Sequence, residues 1–586
     1  MQLRRDATGI KGDVSMDVVV SGTERASLSI IGTYLAADGR IDLGLEFSKV
    51  MPSAFAGLSP ELSHLAAFEM PLQGTATFSM TTDGDVEGFG FDVSGSKGHL
   101  AVSVAEAQKN GDLALAQRVP VDNLEFRGRY EGLPQKIEIN NLTINFGKDG
   151  EVYLPAPVNH ALPVRTLTAR GRYMGLDNRL ELDSLEADLH GPSVSVAANL
   201  VFDVDGLSLG ASGVVRDMQP DQLSAYWPKG MGKDARQWVV TNISGGIVPE
   251  ARAAVQLRVS EATGIDILTL KGDMDIRNVT VDYLSPMPKA QRTNATARFS
   301  KEKFDIFITS SEVEGLAMEK GIVSFSGLDK VDQFADVDLF ITGAVGKALA
   351  LIESEPLGYA SAIGIDPKRT GGIVDAHLKL GFLVEDALTM DDVKLSTSAQ
   401  MHDVSIENVI LGQAISHGEL DLKVDKVGMD VSGDVKLGNI PVDLKWRRNF
   451  AANAPFRGRY HIKSNIKNIR NLADLGLDLE PLHGDVVEGG VGADIRLTLS
   501  DENVGQVQVK LDLADVALKI PAMGWSKDAG VPGTAEADIN LNGTVITDIP
   551  RFAVSAGDLR INGSANYSKQ GGGLDKVNLA RVSYNR

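Results

Sequence analysis

The sequence predicts an all-β fold: an elongated, twisted antiparallel β-sheet, built by repetition into a groove and braced by a few short helices. Three observations predict it. Apolar and polar residues alternate with period two along most of the 586 residues, turn dipeptides punctuate that alternation, and a block of 23 residues recurs. A chain of this length exceeds what one compact core sustains, so stacked supersecondary units are expected.

The alternation is plainest in 41-IDLGLEFS-48. Successive strand side chains point to opposite faces, which puts Ile41, Leu43, Leu45 and Phe47 on an oily face and Asp42, Gly44, Glu46 and Ser48 on a wet one. The pattern returns at Val14, Met16, Val18 and Val20, at Val374, Ala376, Leu378, Leu380, Phe382 and Val384, and at Leu420, Leu422 and Val424. It returns again at Ala493, Ile495, Leu497 and Leu499 and at Val507, Val509, Leu511 and Leu513. Between these runs stand Asp38-Gly39, Asp83-Gly84, Asp149-Gly150 and Asn542-Gly543, dipeptides that favour hairpin turns.

The recurring block pairs 120-PVDNLEFRGRYEGLPQKIEINNL-142 with 163-PVRTLTARGRYMGLDNRLELDSL-185, 43 residues further on and identical at 11 of 23 positions. Its RGRY core, Arg127 to Tyr130 and Arg170 to Tyr173, returns at Arg457 to Tyr460. Repetition at this period marks units that bury a face only by leaning on their neighbours. Arginines in RGRY are read as solvent-facing residues of a strand and not as a phosphate hook.

Helical pattern is confined to 53–68, 221–246 and 345–364. In the second of these, Pro228 and nearby glycines break the chain. Asp234 is placed as N-cap, Ala235, Trp238, Val239 and Asn242 follow at helical spacing, and Gly245-Gly246 stops the helix. Trp227 and Trp238 are expected to pack this helix onto the sheet as a brace. Three stretches follow: N-terminal repeats over 1–220, a module with the Trp-containing helix over 221–345, and a helical brace with C-terminal repeats over 346–586.

Composition removes several functions. Fifty-eight basic against 78 acidic residues, a net charge of −20, disfavour nucleic acid as a partner. The chain contains no cysteine, which removes disulfides, thiolate metal sites and thiol nucleophiles and suits an oxidising envelope compartment. The nine histidines show no paired metal spacing, 343-GAVGKA-348 lacks the spacing of a phosphate loop, and 489-GGVGADIR-496 is a lone partial match to a calcium repeat. Ser94 to Lys97 and Ser464 to Lys467 lack the companions a serine acylase needs. The expectation is a non-enzyme without cofactor or metal. MQLRRDATGIKGDV has no apolar run behind its arginines, and the chain is expected to be part of a longer polypeptide that carries any membrane anchor.

The stretch 221–257 carries the pattern WPxGM-x3-ARQWVxxNIxGG-x-VxxAR, which resembles the module shared by AsmA-like proteins of the YhdP/TamB type. Further matches are 356-PLGYASAIGIDPKRTGG-372, 404-VSIENVILGQAISHGELDLKV-424 and 513-LADVALKIPAMGWSKDAGVPGTAEADI-539. The resemblance implies a long groove-shaped sheet in the periplasm of a diderm bacterium, its parent protein anchored in the inner membrane. It also implies phospholipid carried towards the outer membrane, with partner proteins in either membrane.

Elementary energetics points the same way. A continuous oily face has to be covered, and helical pattern is too scarce to cover it. A lipid acyl chain fits the vacancy, each CH2 kept from water contributing ~0.8 kcal/mol. Ile41, Leu43, Leu45, Phe47, Leu378, Leu380, Phe382 and Ile495 are therefore expected to line a groove for acyl chains. The alternative is a periplasmic scaffold or chaperone that adds strands to outer-membrane proteins through an open sheet edge.

Overall fold

The computed structural model describes residues 1–20, 24–102, 117–154, 160–204, 206–229, 232–260, 264–385, 392–410, 413–451, 453–471, 486–500, 504–543, 545–568 and 573–584. They are overwhelmingly strand, and every described pairing is antiparallel, so the all-β reading holds. Contacts divide the chain into one unit of 1–281 with 292–306 and a second of 282–291 with 307–586.

In the first unit, chain neighbours pair in turn from strand Gly9–Val20 to strand Gly264–Val281. In the second the same succession runs from Leu316–Ser326 to Leu574–Ser583. Strand Gln2–Arg5 in the first unit and strand Leu574–Ser583 in the second each have one described neighbour, so the sheet does not close.

Turn chemistry does what the dipeptides predict at Gly39 (φ 59°), Gly84 (φ 92°) and Gly543 (φ 61°), each between two paired strands. Asp149-Gly150 is different. It leads from strand Lys136–Asn145 into a separate two-stranded ribbon, Glu151–Leu154 with His160–Pro163. There a Cβ on Gly150 would sit 2.2 Å from the Val164 carbonyl oxygen, so close backbone approach, and no hairpin, is the reason for the glycine.

Helical segments lie where expected, with two corrections. The 53–68 stretch forms 3-10 turns, Pro52–Phe55 and Pro60–Ala67, closed by i→i+3 bonds such as Leu62 N to Ser59 O at 3.2 Å. In the second stretch, helix Lys233–Asn242 starts after Gly232 in the left-handed conformation (φ 56°), which makes Asp234 a first-turn residue and not the cap. Its carboxylate then lies beside the positive end of the helix.

The brace is built differently from the expectation. Trp238 stays 45% exposed. Anchorage comes from the turn before it: Tyr226 Oη donates to Leu189 O at 2.8 Å, His160 Nε2 lies 2.7 Å from Ala225 O, and Arg236 Nε donates to Trp227 O at 2.7 Å. Tyr226 also packs on the cluster of Met70, Val119, Val121 and Leu124. Helix Val345–Glu353 is a true brace, since its Val345 enters the large apolar cluster of the second unit and its Ala348 and Leu349 pack against that cluster. Trp446 and Trp525 are each 7% exposed, as packing residues should be. Among described residues no helix is long and apolar enough to cross a membrane.

Trp238→Ala should therefore change stability by no more than ~0.5 kcal/mol. Tyr226→Phe, which strands the Leu189 carbonyl, should cost ~1 kcal/mol or more. Chemical denaturation of the two variants checks the order, and a larger loss at Trp238 would restore the tryptophan brace.

Candidate functional site

Register decides whether the oily faces of single strands add up to a surface. In the first unit one row of directly opposed residues reads Val14, Ile30, Leu45, Ala76, Phe91, Gly128, Ile139, Gly171, Leu182, Ala198, Ala211, Val255 and Leu270. Each is apolar or glycine. In the second unit Ile341, Ala376, Ala399, Leu422, Val431, Trp446, Tyr460, Leu497, Val507 and Ile539 form a corresponding row. Each unit thus has one apolar floor that continues from strand to strand.

The expected floor residues lie on these faces. Ile41, Leu43, Leu45 and Phe47 occupy strand Arg40–Val50, opposite Tyr34, Gly32, Ile30 and Leu28 on one side and Met80, Phe78, Ala76 and Gly74 on the other. Leu378, Leu380 and Phe382 stand opposite Leu339, Val337 and Ala335 in the second unit, and Ile495 lies between Ile462 and Val509. All eight are half-buried, none fully.

The two floors differ in how far they are covered. In the first unit the central floor positions of strands Arg179–Asp188 and Ser193–Asp203 stay half-buried, and Phe202 is 45% exposed. In the second, Val431, Val435, Ile440, Val442, Leu444, Ile462 and Leu497 are all under 9% exposed. Among described residues, only short helices and the small sheet of Val487–Gly489, Val516–Ile520 and Trp525–Lys527 stand beside the main strands there. That face is covered in part by these elements, since Val345, Ile365, Val487 and Val516 belong to the same buried cluster as Val431, Leu444, Ile462 and Leu497. It opens again at the last strand, where Val577, Leu579 and Val582 are 45%, 59% and 42% exposed.

Glycines on the floor are filled by their neighbours' rings. A Cβ on Gly128 would lie 2.6 Å from Phe91 Cζ, on Gly272 2.3 Å from Phe299 Cζ, and on Gly563 2.7 Å from Phe552 Cζ. Phe78, Phe89, Phe91 and Phe126 form a row with centroid separations of 4.5, 5.4 and 4.5 Å, each pair contributing ~0.5–1.5 kcal/mol beyond its buried area.

The opposite faces are held by cross-strand ion pairs. RGRY belongs to both sides: Gly128 and Tyr130 on the floor, Arg127 and Arg129 on the wet face, paired to Asp92 at 2.7 Å and Glu138 at 2.6 Å. The Arg129 guanidinium, aided by Lys136, holds the Glu138 carboxyl down at about 2. Four histidines of the second unit reach carboxylates across strands: His377 to Asp338 (2.7 Å), His402 to Glu419 (2.7 Å), His417 to Asp403 (3.1 Å) and His461 to Asp494 (3.0 Å). The bond to Glu419 pushes the His402 ring pKa up. One buried cation, Lys527 at 3% exposure, gives its protons to the Ala514, Val516 and Asp528 carbonyls at 3.2, 2.7 and 3.2 Å. Burial lowers its pKa.

Sequence reasoning missed one residue of this surface. Ile440, Val442, Leu444 and Trp446 continue in phase to Arg448, which therefore shares their face, opposite Met429 and Gly458. The signal was present in the alternation of 440-IPVDLKWRR-448.

With this geometry in hand, the YhdP protein family matches residues 84–583. The chain belongs to the YhdP family. That is a cell-envelope family, and the matched span takes in all of the second unit's floor and most of the first's. No curated protein matches the chain.

Glu138→Gln should lower the thermal midpoint at pH 7, because a carboxyl depressed to about 2 from 4.5 stabilises the fold above its unfolded pKa. That contribution is lost as pH falls from about 4.5 towards 2, so the midpoints of variant and parent should converge in that window. A gap that does not narrow would remove the ion pair as its cause.

Proposed function

We propose that this chain carries phospholipid between the inner and outer membranes of a diderm bacterium, the acyl chains lying on the apolar floors and the headgroups kept towards water. It is a carrier without a chemical step. Its parent protein is held in the inner membrane, and proteins of either membrane receive or deliver the lipid. The observation that carries this reading is the continuity of the floor: thirteen opposed residues in the first unit and ten in the second without a charge among them. Family membership supports an envelope role.

A surface of Val, Leu, Ile, Ala and Phe with little hydrogen-bonding chemistry suits sliding better than capture. Sixteen methylenes held from water correspond to about 13 kcal/mol, enough to move a chain off a membrane only if the shelter is continuous. Half-buried floor residues leave part of that shelter unfilled by protein, which is where hydrocarbon fits.

A photo-crosslinker at Leu380 should capture phospholipid, while one at Lys379, exposed on the wet face and 3.4 Å from Asp338, should not. Equal labelling at both positions, or none at either, would favour the scaffold that adds strands to outer-membrane proteins. Leu380→Asp should block lipid transfer while the unfolding midpoint moves by only a few degrees, since a carboxylate pressed against hydrocarbon loses its hydration, whereas in the lipid-free chain this half-buried site leaves it in contact with water. Transfer at the parent rate would contradict the floor assignment.

A further inference from the structure

Resting on the lipid-carrier reading, we propose that Arg448 binds the phosphodiester of a glycerophospholipid whose acyl chains lie on the floor of the second unit. The row of opposed residues through it reads Leu378, Thr397, Val424, Met429, Arg448 and Gly458. Among the described residues opposed in this way from strand Leu316–Ser326 to strand Leu574–Ser583, Arg448 is the one ionised side chain on the apolar face.

A guanidinium on such a face is not a product of the alternation, which in this unit places the strand residues Arg447, Arg459, Arg496, Arg551, Arg560 and Arg581 on the wet side. Its setting suits a boundary between head and tail. Arg448 is the second-last residue of strand Ile440–Asn449, and Met429 opposite is the second of strand Gly428–Leu437, so the row runs along the margin of the floor. Inward of it lie Trp446 and Tyr460, 7% and 9% exposed and stacked at 5.4 Å. Trp446 Nε1 is buried with no acceptor among the described residues, a second donor on the same stretch. An amphiphile with an oxyanion at Arg448 and its chains along the half-buried Leu378, Leu422 and Val424 matches both the charge and the oil. Planar, always charged and forked, a guanidinium suits a phosphodiester.

The test uses the purified chain with dioleoylphosphatidylglycerol, dioleoylglycerol or oleate presented in maltoside micelles, and mass spectrometry of the lipid retained per chain. The parent should retain phosphatidylglycerol about ten-fold over dioleoylglycerol, the factor expected for a charge-assisted contact. Arg448→Gln should abolish that preference. Lys445→Gln, on the wet face of the same strand, should keep it. If the Gln variant loses the parent's unfolding transition, Arg448→Lys decides instead, with the preference reduced several-fold because an ammonium makes a point contact. A preference that survives at Arg448→Gln, or is unchanged at Arg448→Lys, overturns the assignment. Preference for oleate without one for phosphatidylglycerol overturns the phosphodiester. Retention of dioleoylglycerol with no preference in the parent overturns this proposal alone, and retention of no lipid at all overturns the carrier reading with it.

Discussion

The structure depends on one constraint: each strand has to keep its apolar residues in phase with both neighbours. Side-chain direction has period two, so a slip of one residue would turn a strand's whole oily set into water. The penalty is carried by every strand, and twice by the inner strands, which have a neighbour on either side whose floor residues need cover. Wet-face ion pairs such as Arg127 with Asp92 and Arg172 with Glu181 add only small energies in water, but opposite charges directly across strands help fix which residue meets which.

Bulges show how strictly phase is maintained. In strand Lys136–Asn145 the floor set runs Ile137, Ile139, then Leu142, Ile144, with one residue too many between the pairs. The extra residue, Asn140, has no opposed partner on either neighbouring strand, and the bulge it forms restores Leu142 to the floor. In the second copy of the repeat Asp183 occupies the same place, 43 residues on, and lets Leu185 follow Leu182. The repeat thus transmits an irregularity as faithfully as the alternation, because losing it would expose half a strand.

Most of this was legible in the sequence, and what was not has physical reasons. Alternation identified the floor side of strand Arg40–Val50 and of strand Thr370–Leu383, since period two depends on nothing but the local chain. The bulge was visible as a phase break in 137-IEINNLTI-144, yet a break reads equally as a strand end until the neighbours are known. Trp238 was misread because helical spacing gives a residue's place on a helix but not which face meets the sheet, and tyrosine at 226 made that contact instead. How far each floor is covered depends on which elements distant in the chain pack over it, as Val345 and Val516 do in the second unit. Hence Leu444 at 2% exposure and the half-buried Leu182 carry the same sequence signal.

The central claim is that these floors are completed by hydrocarbon. Native mass spectrometry of the purified chain, released gently from solution, measures this most directly. The account predicts adducts with the masses of intact diacyl phospholipids, removed by organic extraction and regained on incubation with phospholipid vesicles. A bare chain that takes up no lipid from those vesicles while remaining folded would contradict it.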